Sequence, residues 1–273
     1  MIEARGLSYA AGGRTILRDI SAAFAPGRLH FVIGPNGAGK STLVKLLARL
    51  LRPRSGVVLY AGVDVAARRE AELARRRAVL SQAIEIAFPL AVHEVVMMGR
   101  YPHFGARPAA HDAAVVDEVM RFCDVAELAE RDYSTLSGGE RQRVHFARVL
   151  AQIWASPPSP SPSPPAVGPT PPSPGRFLFL DEPLTFLDIG HQLDLLRKLR
   201  GLGAAPDLTV VAALHDLALA ARFADSLVLL DRGAVLAAGS VEEVMTAAHV
   251  RAAFGVEPVI LAAADGRRHL VFE

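Results

Sequence analysis

Cysteine is almost absent: Cys123 is the only one in 273 residues. That excludes an internal disulfide framework and a zinc site built on paired cysteines. A lone cysteine in a helical stretch reads as a small buried side chain, and the chain suits a reducing compartment. Lysine is also scarce. Lys40, Lys45 and Lys198 are the only three among 30 basic residues, so a lysine standing where a phosphate must be bound is not filler. No uncharged apolar run approaches the roughly 20 residues needed to span a bilayer. The longest stretch without charge, residues 149–175, is filled by proline. The start, Met1-Ile2-Glu3-Ala4-Arg5, has no apolar signal segment, so a membrane role is expected only through a partner. Charge of one sign is lacking as well: 30 basic and 28 acidic side chains leave +2, too balanced to coat nucleic acid, and no nucleic-acid partner is expected. What is present is a core. Apolar residues make up 51% and charged ones 21%, which excludes global disorder.

Short apolar runs bounded by turns alternate with longer helical patterns. Strands are expected at residues 2–9, 15–23, 29–33, 56–60, 78–81, 177–180, 208–213, 226–230 and 234–238, with Ala11-Gly12-Gly13 as a hairpin turn. Residues 177–180 and 208–213 are continuous apolar runs, as expected of strands covered on both faces. Residues 92–153 carry no strand signal and read as a helical insertion. Ten of the 19 residues from 156 to 174 are proline and five are serine, a composition that enters neither helix interior nor central strand and predicts a flexible, partly extended loop.

Three motifs carry chemistry. Gly34-Pro35-Asn36-Gly37-Ala38-Gly39-Lys40-Ser41-Thr42 follows an expected strand and opens an expected helix over residues 41–51. Its glycines let backbone N–H groups wrap an anion beside a helix N-terminus; Lys40 reaches the β- and γ-phosphates and Ser41 a Mg²⁺ ion. The apolar run Phe177-Leu178-Phe179-Leu180 ends in Asp181-Glu182. Two adjacent carboxylates at a buried strand end need a cation or donors; Asp181 suits Mg²⁺, and Glu182 suits the water that attacks a phosphoryl group. Leu136-Ser137-Gly138-Gly139-Glu140 opens a helix over residues 141–153 and makes a second anion cradle. Two cradles about 100 residues apart are most simply reconciled by a dimer in which each chain's second cradle closes the other's nucleotide.

Together these motifs resemble the ATP-binding subunit of an ABC transporter, over essentially the whole chain. The resemblance implies an α/β fold of the P-loop NTPase (RecA-like) type, with an N-terminal antiparallel β subdomain and an inserted helical subdomain. The expected division is one nucleotide-binding domain, with residues 1–85 and 176–273 as core, 86–155 as helical subdomain and 156–175 as loop. It also implies roles for single residues. Tyr9 matches the aromatic that stacks on adenine. Gln82 matches the glutamine that senses the γ-phosphate, contributes to Mg²⁺ binding and connects to the membrane partner. Asp188 matches the aspartate that contacts the opposite subunit, and His215 the switch histidine. Leu184 departs from the pattern: it stands where a hydroxyl residue usually follows the Glu-Pro pair, which puts one local hydrogen bond in doubt.

The stretch Glu94-Val95-Val96-Met97-Met98-Gly99-Arg100-Tyr101-Pro102-His103-Phe104-Gly105 resembles importers of iron-siderophores, haem and vitamin B12. Arg131-Asp132-Tyr133 and Arg148-Val149-Leu150-Ala151-Gln152-Ile153-Trp154 look closest to haem importers. The implied partners are a second copy of the chain, two transmembrane permease subunits, and an extracytoplasmic binding protein reached through the permease, at the cytoplasmic face of a bacterial inner membrane. Siderophore or B12 import is the alternative. A soluble ABC ATPase of DNA repair or the ribosome lacks support, since the chain has neither a long coiled coil nor a second ATPase domain. A small-molecule kinase would leave Leu136 to Glu140 without a role.

Overall fold

A computed structural model describes residues 1–81, 89–154, 175–262 and 268–272. These fall into two compact units: Met1–Arg68 with Phe179–Glu273, and Arg69–Leu178. The chain opens with β1 (Ile2–Ala11) and β2 (Arg14–Phe24), an antiparallel pair. The turn between them is Gly12-Gly13, with φ of 55° and 75°. Two successive left-handed residues match the right-handed twist of the strands they join, and only glycine adopts them freely. Next come β3 (Arg28–Ile33), α1 (Lys40–Leu47), β4 (Ser55–Tyr60) and β5 (Val63–Asp64). The order β2-β1-β4-β5 makes an antiparallel sheet. Helix α1 stops at Leu47, short of the expected residue 51. Arg49 takes a φ of 55°, and the Leu50 N–H turns back to Lys45 O at 2.8 Å. That left-handed residue ends the helical ladder.

The second unit holds α2 (Glu70–Ala74), β6 (Arg77–Leu80), α3 (Val92–Met97), α4 (Ala110–Phe122) and α5 (Gly138–Ile153). Helix α5 buries Val144, Phe146, Ala147, Val149, Leu150 and Ile153, so its apolar face is wide. Gly99 lies against it: a Cβ there would stand 2.1 Å from Arg148 O, so the backbones touch where no side chain fits. Arg100 follows, 1% exposed. It pairs with Asp112 at 3.0 Å and donates to Ala151 O at 2.9 Å. The other carboxylate oxygen of Asp112 accepts the Ala109 N–H at the start of α4, so both oxygens of this buried carboxylate have donors. Cys123 is buried, as expected.

Strand β7 (Arg176–Asp181) runs from the second unit into the first; at its start the Phe177 N–H donates to Arg76 O, beside β6. Then follow α6 (Ile189–Gly203), β8 (Leu208–Ala213), α7 (Leu217–Phe223), β9 (Ser226–Asp231) and β10 (Ala234–Gly239). Short α8 (Val241–Val244) and α9 (Ala247–Phe254) precede the hairpin β11 (Pro258–Ala262) and β12 (Arg268–Phe272). In the first unit the order β10-β9-β3-β8-β7 makes a sheet in which β3 runs parallel to both β8 and β9. Every residue of β8 is buried, as are Leu29–Ile33 of β3, in keeping with a parallel sheet covered on both faces. Among the described residues no helix is long and apolar enough to cross a membrane.

Candidate functional site

Ligands of open parallel sheets bind beyond the carboxyl ends of the strands. Here β3 ends at Ile33, β7 at Asp181 and β8 at Ala213. Beyond β3 the chain turns through Gly34, with a φ of 147°, where a Cβ would lie 2.2 Å from Leu230 O. Gly39 has a φ of 101°, and a Cβ there would meet the Leu17 side chain at 2.5 Å. Glycine at both positions is therefore a steric requirement of the loop. Lys40 follows at the first turn of α1, 4% exposed, and its Nζ donates to Gly34 O at 2.8 Å and Pro35 O at 3.1 Å. Burial holds its ammonium below the usual lysine range, opposed by the charges of Glu182 and Asp181. A cavity of about 880 Å³ opens over this loop, lined by Pro35 through Thr42 together with Glu182 and His215.

Asp181 is 5% exposed. Its Oδ2 lies 3.8 Å from Lys45 Nζ, while Oδ1 is buried with no hydrogen-bond partner among the described residues. An orphaned carboxylate oxygen, on a side chain whose other oxygen faces Lys45 of α1, is a fit for a divalent ion carried in with a phosphate. Among the described residues no three His, Cys, Asp or Glu side chains form a metal cluster. Glu182 adopts a φ of 53°, in the left-handed region that strains a non-glycine residue and recurs at functional sites. Its N–H donates to Ala213 O at 3.3 Å, and its carboxylate accepts from His215 Nε2. The hydroxyl put in doubt by Leu184 comes from the next residue: Thr185 Oγ1 donates to Glu182 O at 3.1 Å.

The second cradle is built as a helix cap. Ser137 Oγ accepts the Glu140 N–H at 3.3 Å, and Glu140 Oε2 accepts the Ser137 N–H at 2.7 Å. This reciprocal pair satisfies two donors and leaves the N–H groups of Gly138 and Gly139 pointing out of α5. Those bonds hold the Glu140 carboxyl below its usual range, with Arg131 adding to the effect. Leu136 is buried and anchors the turn; Ser137 and Gly138 are exposed. Asp188 caps α6 through the His191 N–H at 2.9 Å and also bonds the His191 ring. Phe186 and Ile189 flank it, 72% and 65% exposed.

Gln82 lies outside the described residues, as do residues 156–174. Tyr9 does not line the cavity. The β1–β2 ladder continues two residues beyond it, to Ala11 opposite Arg14, and it is this strand end that reaches the cavity. Sequence reasoning also passed over Thr15, Ile16, Asp231, Arg232 and Gly233, which line the same cavity. A single signal was available: Gly233, with a φ of 79°, leaves no room for a side chain against Ile16 O, so the β9–β10 turn must sit on β2.

The ABC transporter family model matches residues 17–153. The hemin import ATP-binding protein HmuV of Rhodopseudomonas palustris (strain HaA2) is 43% identical over 97% of this chain and 94% of its own length. That of Bordetella parapertussis (strain 12822 / ATCC BAA-587 / NCTC 13253) is 43% identical over 96% and 94%. Among solved structures, a metal-chelate type ABC transporter in an inward-facing conformation covers 100% of this chain and 97% of its own, with a TM-score of 0.78 and 23% identity. The phosphate loop, the strand-end carboxylates and the capped signature helix thus occur together in a chain alike over nearly its full length to these relatives, and the chain belongs to the ABC transporter family.

Proposed function

We propose that the chain is the ATP-hydrolysing subunit of a haem import complex, acting as a single nucleotide-binding domain. The observation that carries hydrolysis is the placing of Glu182, bonded to His215, in the cavity walled by the phosphate loop. Haem as the cargo rests on the 43% identity to hemin import proteins over nearly the whole chain.

In this reading Lys40 gives up its backbone carbonyls and takes the β- and γ-phosphates. The N–H groups of Gly37, Ala38, Gly39 and their neighbours wrap the rest of the chain of phosphates. Ser41 and Asp181 would hold Mg²⁺, with Gln82 as the third member that the family resemblance implies. When bound, Mg²⁺ neutralises charge on the phosphate oxygens. Glu182 orients the attacking water and accepts its proton. His215 leaves the Glu182 carboxylate and donates to the γ-phosphate. Ser137, Gly138 and Gly139 of a second copy close over that phosphate, their free N–H groups stabilising the charge that spreads over it. Asp188 contacts the opposite copy beside this closure. Gln82 and the segment leading to Glu94 pass closure on to a permease of two transmembrane subunits, beyond which an extracytoplasmic binding protein delivers the cargo. The chain then works at the cytoplasmic face of the inner membrane, held there by the permease.

The test is ATPase activity of the complex reconstituted with its permease. Haem-loaded binding protein should stimulate turnover, while ferric siderophore and vitamin B12 should not. Stimulation by either of those instead would reassign the cargo within the same importer branch, and absence of co-purification with any polytopic membrane protein would reject transport.

A further inference from the structure

The phosphate loop, Glu182 and His215 occupy one end of the cavity, and the triphosphate belongs there. The remaining wall is Ala11 at the end of β1, Arg14, Thr15 and Ile16 on β2, and the Asp231–Gly233 turn. The ribose and base have only this end left. Among the described residues no Phe, Tyr or Trp lines it. Ala11, the residue that the strand end presents, has no ring to offer. Opposite it in the ladder stands Arg14, exposed and without a hydrogen bond or ion pair to any described residue. The other guanidinium at the rim, Arg232, is already near Asp231, 3.8 Å away. A planar guanidinium with no carboxylate to bind stacks on a π face as readily as it pairs, and nucleobases present such faces.

We propose that Arg14 is the platform on which the nucleobase stacks, in place of an aromatic side chain, and that the site therefore distinguishes bases weakly. The proposal rests on the reading that the triphosphate sits on Lys40. Stacking on a cation needs a π face and no particular pattern of donors and acceptors, so adenine and guanine are held alike. The Ala11 position, with no ring of its own, leaves space for one.

Calorimetric titration of the full chain with Mg²⁺ present, using ATP, GTP and inorganic tripolyphosphate at about 0.15 M salt, tests this. The wild-type chain should bind ATP and GTP within about threefold of each other. Arg14→Ala should weaken both about five- to thirtyfold, the range of a partly desolvated cation–π contact. Tripolyphosphate, which has no base, should change by less than about twofold. Ala11→Tyr should tighten ATP and make a following Arg14→Ala nearly silent, because the ring then supplies the platform. Unchanged ATP affinity in Arg14→Ala would overturn the proposal, and so would an equal loss for tripolyphosphate, which would reduce Arg14 to a phosphate-attracting charge. A failure of the underlying reading looks different: Lys40→Ala would then leave tripolyphosphate binding intact.

Discussion

Glu182 sits in a strained backbone conformation with its carboxylate held by His215. If it handles the attacking water, Glu182→Gln keeps the shape and loses the proton acceptor. ATP binding should stay within about threefold of wild type while hydrolysis falls by about a hundredfold or more. Near-normal turnover would remove Glu182 from that role. The motif residues were legible because phosphate chemistry tolerates few substitutes: a backbone nest needs glycines, and a buried triphosphate needs a lysine and carboxylates. The base end was not. The family resemblance places Tyr9 at the adenine, whereas Ala11 and Arg14 at the end of the β1–β2 ladder line the cavity, and the length of that ladder is set by pairing that no local pattern encodes. His145 was equally silent in sequence. It is 2% exposed and shares a 2.6 Å hydrogen bond with Tyr133, while its Nδ1 has no partner among the described residues. Burial, then Arg148 and Arg141, push its pKa down to about 4. The unfolded chain therefore takes up this proton near pH 6.5 and the folded chain does not until about pH 4. The stability it protects is full above pH 6.5, is lost as pH falls, and by pH 5 has dropped by about 2 kcal/mol. Urea midpoints at pH 7.5 and 5 should fall further for wild type than for His145→Gln; equal falls would contradict the burial of a neutral imidazole.

Helices and strands with one clear period were read to within a few residues. Strands β7 and β8 announced themselves as largely apolar runs, and the stretch from α3 to α5 as one without strand signal. The ends were set by events outside the local pattern, such as the left-handed Arg49 that stops α1. The hairpin β11–β12 passed unread, since Val259-Ile260-Leu261 alternates with nothing polar. Close packing of elements also escaped sequence reading. Gly99 looked like part of a family signature, yet its physical role is to let the chain touch the backbone of α5. Gly99→Ala would place a methyl 2.1 Å from Arg148 O, and the backbone must shift to admit it. Overpacking of this kind costs about 1–3 kcal/mol, so the chemical unfolding midpoint should drop clearly, although Gly105→Ala, with nothing within 4 Å of its Cβ, should leave it within about 0.5 kcal/mol. An unaffected Gly99→Ala protein would show that α5 does not pack this closely.

At the scale of the molecule, one copy carries a phosphate loop with its carboxylates and a signature helix whose Gly138 and Gly139 amides have no helical partner. The account joins these in trans: each nucleotide lies between the Lys40 loop of one copy and the Ser137 cap of the other. Mixing two inactive variants tests that arrangement most directly. Lys40→Ala removes the phosphate ligand, and Ser137→Arg fills the signature cradle with a large side chain. Each alone should hydrolyse almost no ATP. In a mixed dimer one site carries both defects, while the other combines an intact Lys40 loop with an intact Ser137 cap. Hydrolysis should therefore reappear on mixing, rising with the fraction of mixed dimers. No recovery at any ratio, or wild-type hydrolysis by Ser137→Arg alone, would contradict the shared site.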